Sequence, residues 1–207
     1  GVCVNDAGHL CIGGATTHGT VVAEAAAHYP ALAELAGHIG DPAVRNRGTI
    51  GGSLANNDPS ACYPAAALGS GAIIKTNARE IAADDFFEGM FTTALEEGEI
   101  ITEVKFPIPE AANYQKFVQP ASRFALVGVY VAKFADGVRV AVTGASSDGV
   151  FRWSEAEAAL SADFSEAAVA GLAAPSADGM IADLHGSGAY RAHLVKVMTG
   201  RAVAAAG

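Results

Sequence analysis

The sequence predicts an α+β protein, and three observations carry that prediction. Short apolar runs come in pairs joined by turn residues: Val2–Val4 and Leu10–Gly13 flank Asn5-Asp6-Ala7-Gly8. A second pair, Phe124–Phe134 and the alternating Val138, Val140 and Val142, is divided by Asp136-Gly137, a strong hairpin signal. Helical patterns follow that second pair as a block, with no β-α-β alternation, which points to antiparallel sheets with segregated helices.

Taken in order, Thr16 or Thr17 can cap a helix through Val21, Val22, Ala25 and Ala26, and Pro30 starts another that carries Leu32 and Leu35 and ends near Gly37. Asp41 to Ser53 holds Pro, Asn and Gly breakers without helical period and reads as a long loop, the kind of segment in which functional backbone lies. Pro59 or Ser60 opens a helix through Ala65–Leu68. Ala72–Lys75 reads as a strand, Ala83–Glu88 as a helical turn and Glu99–Phe106 as a strand. Pro107 to Ala112 is the best linker, dividing the chain into 1–108 and 109–207. Helices are expected near Ser154–Leu160 and Ser165–Leu172. The last runs from about Ser187 to Ala205 with Tyr190, Leu194, Val197, Met198 and Ala202 on one face.

Composition excludes several classes. Apolar residues make up 51% and charged residues 17% of the 207, the profile of a packed protein rather than a disordered one. The net charge is −9 and no Lys/Arg run exists, which argues against nucleic-acid binding through phosphate neutralisation. No apolar run approaches the roughly 18–20 residues of a transmembrane helix. Cys3, Cys11 and Cys62 fit neither a disulfide framework nor a zinc spacing, so a cytoplasmic location is expected. His18, His28, His38, His185 and His193 lack metal-ligand spacing, and His18, at a helix start, is expected to be a capping or surface residue.

The segment that carries chemistry is Ile39 to Ser53, IGDPAVRNRGTIGGS. In Thr49-Ile50-Gly51-Gly52-Ser53 the paired glycines permit positive φ and close approach of the main chain to an anion. Successive N–H groups in such a turn form an anion-binding nest, flanked here by the hydroxyls of Thr49 and Ser53. Asn56, Asn57 and the following helix start add donors. An ordinary tight turn is the alternative for a lone Gly-Gly.

IGDPAVRNRGTIGGSLANNDPSACYPAA resembles the second flavin-binding segment of the medium subunits of molybdenum hydroxylases, the carbon monoxide dehydrogenase and xanthine dehydrogenase family. The resemblance continues through Ala83–Pro107, ADDFFEGMFTTALEEGEIITEVKFP, and through Tyr114–Phe117 and Ala121–Ala125. It implies a partial FAD-binding domain over 1–108, followed by a carbon monoxide dehydrogenase flavoprotein C-terminal-like α+β domain over 109–207. FAD would contact Thr49, Ile50, Gly51, Gly52, Ser53 and Asn57, with Ile39 either an apolar contact or a core residue. Cys62 sits where many relatives carry an Asp that touches FAD; a thiol cannot accept a carboxylate's strong hydrogen bonds, so that contact weakens, and a buried structural Cys is the other reading. Ile100 and Ile101 match an apolar position near the isoalloxazine ring and could equally be strand core. Lys116 matches a cation near the flavin, against a solvated lysine, and Phe124 an aromatic near the ring, against a core Phe. No residue is expected to be catalytic and none to bind metal.

The resemblance further implies a large subunit with the molybdenum cofactor and a small subunit with 2Fe–2S clusters, electrons passing through FAD to an external acceptor. Three cysteines are too few to hold such clusters here. A first glycine-rich segment, of the AGGxSLLP type, is not found, and Gly1–Val4 reads as the middle of a strand, so an N-terminal piece is expected to be missing. Losing about 3–4 kcal/mol of contacts would weaken binding several-hundred-fold, so poor FAD binding by this chain alone is expected. Two other readings stay open: a cofactor-free scaffold of such a complex, and another flavoenzyme of the same binding fold, such as the enolpyruvyl reductases.

Overall fold

The computed structural model describes residues 1–206. Two antiparallel sheets organise the chain. The first begins with β1 (Val2–Val4) and β2 (Leu10–Gly13), a hairpin whose turn is tied by Asn5 Oδ1, which accepts from the N–H groups of Ala7 at 3.0 Å and His9 at 2.9 Å. It is completed by β3 (Ile73–Thr76), β4 (Glu80–Ala82) and β7 (Ile101–Phe106) in the order β1-β2-β7-β3-β4. A small ladder joins β5 (Phe87–Gly89) and β6 (Thr92–Thr93). The second sheet, in the order β11-β10-β9-β8, uses β8 (Ala111–Val118), β9 (Ala125–Phe134), β10 (Gly137–Ser146) and β11 (Gly149–Arg152).

The helices between β2 and β3 are α1 (His18–Ala25), capped by Thr17 through the Thr20 N–H, α2 (Pro30–Gly37), α3 (Pro42–Arg45), α4 (Ile50–Asn56) and α5 (Tyr63–Ser70). α6 (Ala83–Phe86) is a single turn. α7 (Ser154–Ala162), α8 (Glu166–Ala170) and α9 (Gly188–Ala206) follow the second sheet.

The second sheet is the centre of the molecule, because β9 is buried on both faces. Val127, Val129 and Val131 pack with Leu194, Val195 and Met198 of α9, whereas Tyr130 and Ala132 join Tyr114, α2 and α5 in the other core. A strand with no solvent face has no reason to alternate, which is why Phe124–Phe134 reads as a continuous apolar run. α5 lies tight on this sheet: a Cβ on Gly69 would stand 3.0 Å from the Tyr130 ring. Of the expected α9 face, Leu194, Met198 and Ala202 are buried, while Tyr190 is exposed.

Several expectations need correction. Asp41–Ser53 is not one loop. Asp41 Oδ1 accepts the Val44 N–H at 2.9 Å to cap α3, and Thr49 Oγ1 accepts the Gly52 N–H at 3.2 Å to cap α4. Helices of four and seven residues are too short to show a hydrophobic period, and the glycine pair reads as a breaker. α5 starts at Tyr63 rather than Pro59 or Ser60, since Asp58 forms a turn with the N–H of Ser60 (2.8 Å) and its carbonyl accepts from Ala61 (2.9 Å). The linker is shorter than expected, because Ala111 and Ala112 already belong to β8.

Candidate cofactor site

The glycine pair sits at the first turn of α4, stacked on two other backbones. The Ile50 N–H donates to the Thr16 carbonyl at 3.1 Å and the Gly51 N–H to the Gly14 carbonyl at 2.9 Å. Gly14 in turn donates to the Thr102 carbonyl at 2.8 Å. A Cβ on Gly51 would lie 2.6 Å from the Gly14 oxygen, and one on Gly14 would lie 2.0 Å from the Ile101 oxygen. Gly51 is therefore required by main-chain packing of α4 against the turn after β2. Neither Gly51 nor Gly52 has positive φ, so the expected nest is absent and a helix start takes its place. Donors counted as free are engaged: Gly52 on the Thr49 hydroxyl and Ser53 on the Thr49 carbonyl at 3.0 Å, besides Ile50 and Gly51. Gly52, unlike Gly51, is exposed.

From the C-terminal half of α4 a cavity of about 290 Å³ opens toward the loop between β8 and β9. It gathers five of the expected residues: Ile39 after α2, Ser53 on α4, Cys62 before α5, Lys116 on β8 and Phe124 at the end of the β8–β9 loop. Phe124 is 49% exposed and so is a wall of the cavity, not the core residue of the alternative reading. Lys116 donates from Nζ to the His38 carbonyl at 2.9 Å, which ties β8 to the end of α2 and fixes the ammonium at the cavity mouth. Cys62 is nearly fully buried. Behind it burial, together with the Cys62 thiol, raises the pKa of the Tyr114 hydroxyl well above the ordinary phenol value.

The remaining expected residues do not reach the cavity. Thr49, Ile50 and Gly51 belong to the N-terminal turn of α4, about 3–6 Å along the helix axis from Ser53, where the cavity begins. Ile101 opens β7 beside Gly14 and packs on the first core, away from Lys116 and Phe124, while Ile100 is 64% exposed. Asn57 is buried in left-handed conformation (φ 43°), its amide donating to the carbonyls of Gly89 at 2.7 Å and Thr92 at 2.9 Å. It fastens the β5–β6 tip instead. Its neighbour Asn56, which the sequence also offered as a donor, lines the cavity, as do Asp58, Ser60 and Arg123, to which no role was given. Adjacent residues on α4 point about 100° apart, so of the Asn-Asn pair one side chain faces the cavity and the other the β5–β6 tip.

His18 also differs from expectation. Thr17 supplies the cap, and the imidazole is buried against the Tyr63 ring, 5.3 Å between centroids, with no partner for Nδ1. Burial, and then the Arg45 charge, lower its pKa. Among the described residues no group of three His, Cys, Asp or Glu side chains is placed to hold a metal ion, and no helix is long and apolar enough to cross a membrane.

Two antiparallel sheets, with a partly apolar cavity between a glycine-started helix and the second sheet, define an α+β protein with a concave site of the kind that takes a small ligand. The particular family follows from comparison with known proteins. Residues 2–109 match the family described as FAD binding domain in molybdopterin dehydrogenase, and the chain belongs to it. It is 34% identical over 220 residues to the nicotine 6-hydroxylase medium subunit of Paenarthrobacter nicotinovorans, covering 96% of this chain and 75% of that one. It is 32% identical over 198 residues to the carbon monoxide dehydrogenase medium chain of Hydrogenophaga pseudoflava, covering 87% and 68%. Among solved structures, quinoline 2-oxidoreductase from Pseudomonas putida 86 superposes with a TM-score of 0.88 at 28% identity, over 100% of this chain and 77% of that one. Carbon monoxide dehydrogenase from Oligotropha carboxidovorans gives 0.85 at 26% identity, with the same coverage. The protein is thus of the FAD-binding medium-subunit type of the molybdenum hydroxylases, an oxidoreductase family.

Proposed function

We propose that this chain holds FAD between segments 1–108 and 109–207, as the electron-transfer subunit of a molybdenum hydroxylase. In that complex a large subunit holds the molybdenum cofactor, and a small subunit passes electrons from its 2Fe–2S clusters to this chain and on to an external acceptor. The observation that carries the reading is the convergence of Ile39, Ser53, Cys62, Lys116 and Phe124, drawn from distant parts of the sequence, on one cavity. Its volume of about 290 Å³ falls just below the range of ligand clefts, about 300–1,000 Å³. One ring system fits inside, and the rest of a dinucleotide would extend along α4 toward Ser53, Gly52 and Thr49, with Ile101 beyond.

FAD, when bound, supplies a group that accepts electrons singly and releases them in pairs. This chain's residues place it. Ile39 and Phe124 exclude water from the ring, Asn56, Ser53 and Ser60 offer hydrogen bonds, and the Lys116 ammonium, held by the His38 carbonyl, favours an anionic occupant. The Cys62 thiol is a weak donor and adds little. A cytoplasmic location fits the free, exposed thiol of Cys3.

The engaged N–H groups of Ile50 to Ser53 favour a second reading, a cofactor-free scaffold in the same complex. Titration of FAD into the chain, followed by flavin fluorescence, separates the two. Saturable binding that Phe124→Ala and Lys116→Gln each weaken supports the cofactor reading. Absence of saturable binding, both alone and after co-purification with the large and small subunits, supports the scaffold.

A further inference from the structure

Beside the cavity, and sharing Gly40, Lys116 and Arg123 with it, lies a more open groove of about 420 Å³. Its wall carries three cations, Arg45, Lys116 and Arg123, and no carboxylate. In a chain of net charge −9 this is a local reversal of sign. The ion pairs among the described residues use Arg79, Lys105, Arg139, Arg152 and Arg191 and none of these three. Two of the three are fixed on one turn: Arg45 Nη1 donates to the carbonyls of Ile39 and Gly40, both at 3.0 Å, and Lys116 Nζ to that of His38. A guanidinium has five N–H donors and an ammonium three, so most remain for a ligand. Arg123 is held in left-handed conformation (φ 62°) by its N–H bond to the Gln119 carbonyl at 2.9 Å, within the β8–β9 loop.

The Val44 N–H, and then the charges of Arg123 and Arg45, lower the pKa of Asp41, so this one carboxylate offsets part of the cationic charge and leaves an excess of cations on the groove wall. Asp41, exposed, also uses Oδ1 to cap α3, and Asp58 lines the cavity but not the groove. Fixed cations of one sign with free forked donors match a phosphate group, which takes up bidentate contacts from arginine.

We propose that this groove binds the phosphate or diphosphate group of a small molecule other than the occupant of the cavity. Because the two share a wall, that molecule stands beside the cavity's contents; if FAD fills the cavity, as proposed above, this is the place of a phosphate-bearing electron acceptor. Only that last clause rests on the flavin reading.

The test is calorimetric titration of inorganic pyrophosphate into the full chain, with and without FAD. Expected is saturable binding that weakens between about 0.01 M and 0.15 M salt. It should fall about fivefold or more in both Val118→Glu and Arg123→Gln, each removing or opposing part of a charge-assisted site. Val118 is 45% exposed and lines the groove but not the cavity, so Val118→Glu should fold normally by circular dichroism and leave FAD affinity unchanged. The proposal is overturned if the wild type shows no saturable heat, or if both variants bind pyrophosphate as the wild type does. Competition between pyrophosphate and FAD overturns it too, because the groove would then hold the cofactor's own diphosphate. Pyrophosphate binding without any FAD binding leaves the groove standing and removes the flavin reading instead.

Discussion

Substituting the two glycines of α4 separately distinguishes packing from ligand approach. In Gly51→Ala the new Cβ would lie 2.6 Å from the Gly14 oxygen and 3.0 Å from its Cα, both rigid backbone, so α4 must move. Overpacking of this kind costs about 1–3 kcal/mol. Stretching the Gly51–Gly14 hydrogen bond costs about 0.5–1.5 kcal/mol more. Alanine's better helix propensity returns about 1 kcal/mol. The net loss is about 1–3 kcal/mol, which at roughly 2–4 °C per kcal/mol for a chain of this size lowers Tm by about 2–12 °C. In Gly52→Ala the Cβ meets only the Thr49 hydroxyl, at 3.0 Å, and that side chain can turn aside. The propensity gain then offsets the strained cap, and Tm should stay within about 2 °C of the wild type. Scanning calorimetry with parallel FAD titration reads both effects. The reasoning is refuted if Gly51→Ala melts like the wild type yet loses FAD affinity, since Gly51 would then be glycine for the ligand and not for Gly14.

Three other outcomes follow from the same geometry. Arg191 is buried, donating to the Leu126 and Gly144 carbonyls at 2.8 and 2.9 Å and to both Asp183 oxygens; Arg191→Ala should cost about 3–5 kcal/mol in urea unfolding, and a cost under 1 would contradict the account. Asn57→Ala unties the β5–β6 tip and leaves a non-glycine residue at positive φ, so hydrogen exchange at residues 89–92 should quicken with little change in β9. The Arg79 hydrogen bonds, then the Glu96 N–H, bring the Glu99 pKa from 4.5 down to about 2, so its contribution is complete above about pH 4.5 and disappears as pH falls toward 2. Glu99→Gln should accordingly flatten the fall of Tm between those limits, and an unchanged acid limb would show that the pairing is immaterial.

The parts of the fold legible in the sequence were those where one local rule decides. The β1–β2 and β9–β10 hairpins have turn residues that force reversal, and α1, α2 and α9 have caps or a long apolar stripe. What escaped notice was set at a distance. β4, β5, β6 and β11 are two to four residues long and exist because a neighbouring strand offers hydrogen bonds, which no local pattern records. His18 looked like a surface residue because nothing in its own segment shows that Tyr63 and Gly48 close over it.

The candidate site divides along the same line. The motif singled out α4, whose C-terminal half lines the cavity, and expected its glycines to meet the ligand; in the fold Gly51 also packs on Gly14, a residue 37 positions earlier whose own neighbour is Ile101 on β7. A main-chain stack of β7, Gly14 and Gly51 fixes where α4 begins. The helix's other end, held by Asn57 to the β5–β6 tip, fixes where Asn56 points. A glycine pair that serves the position of a helix, and so the cavity at its far end, would be as intolerant of substitution as one that touches a phosphate. Sequence alone cannot separate these roles, and it is the difference between Gly51→Ala and Gly52→Ala, in stability and in binding, that does so.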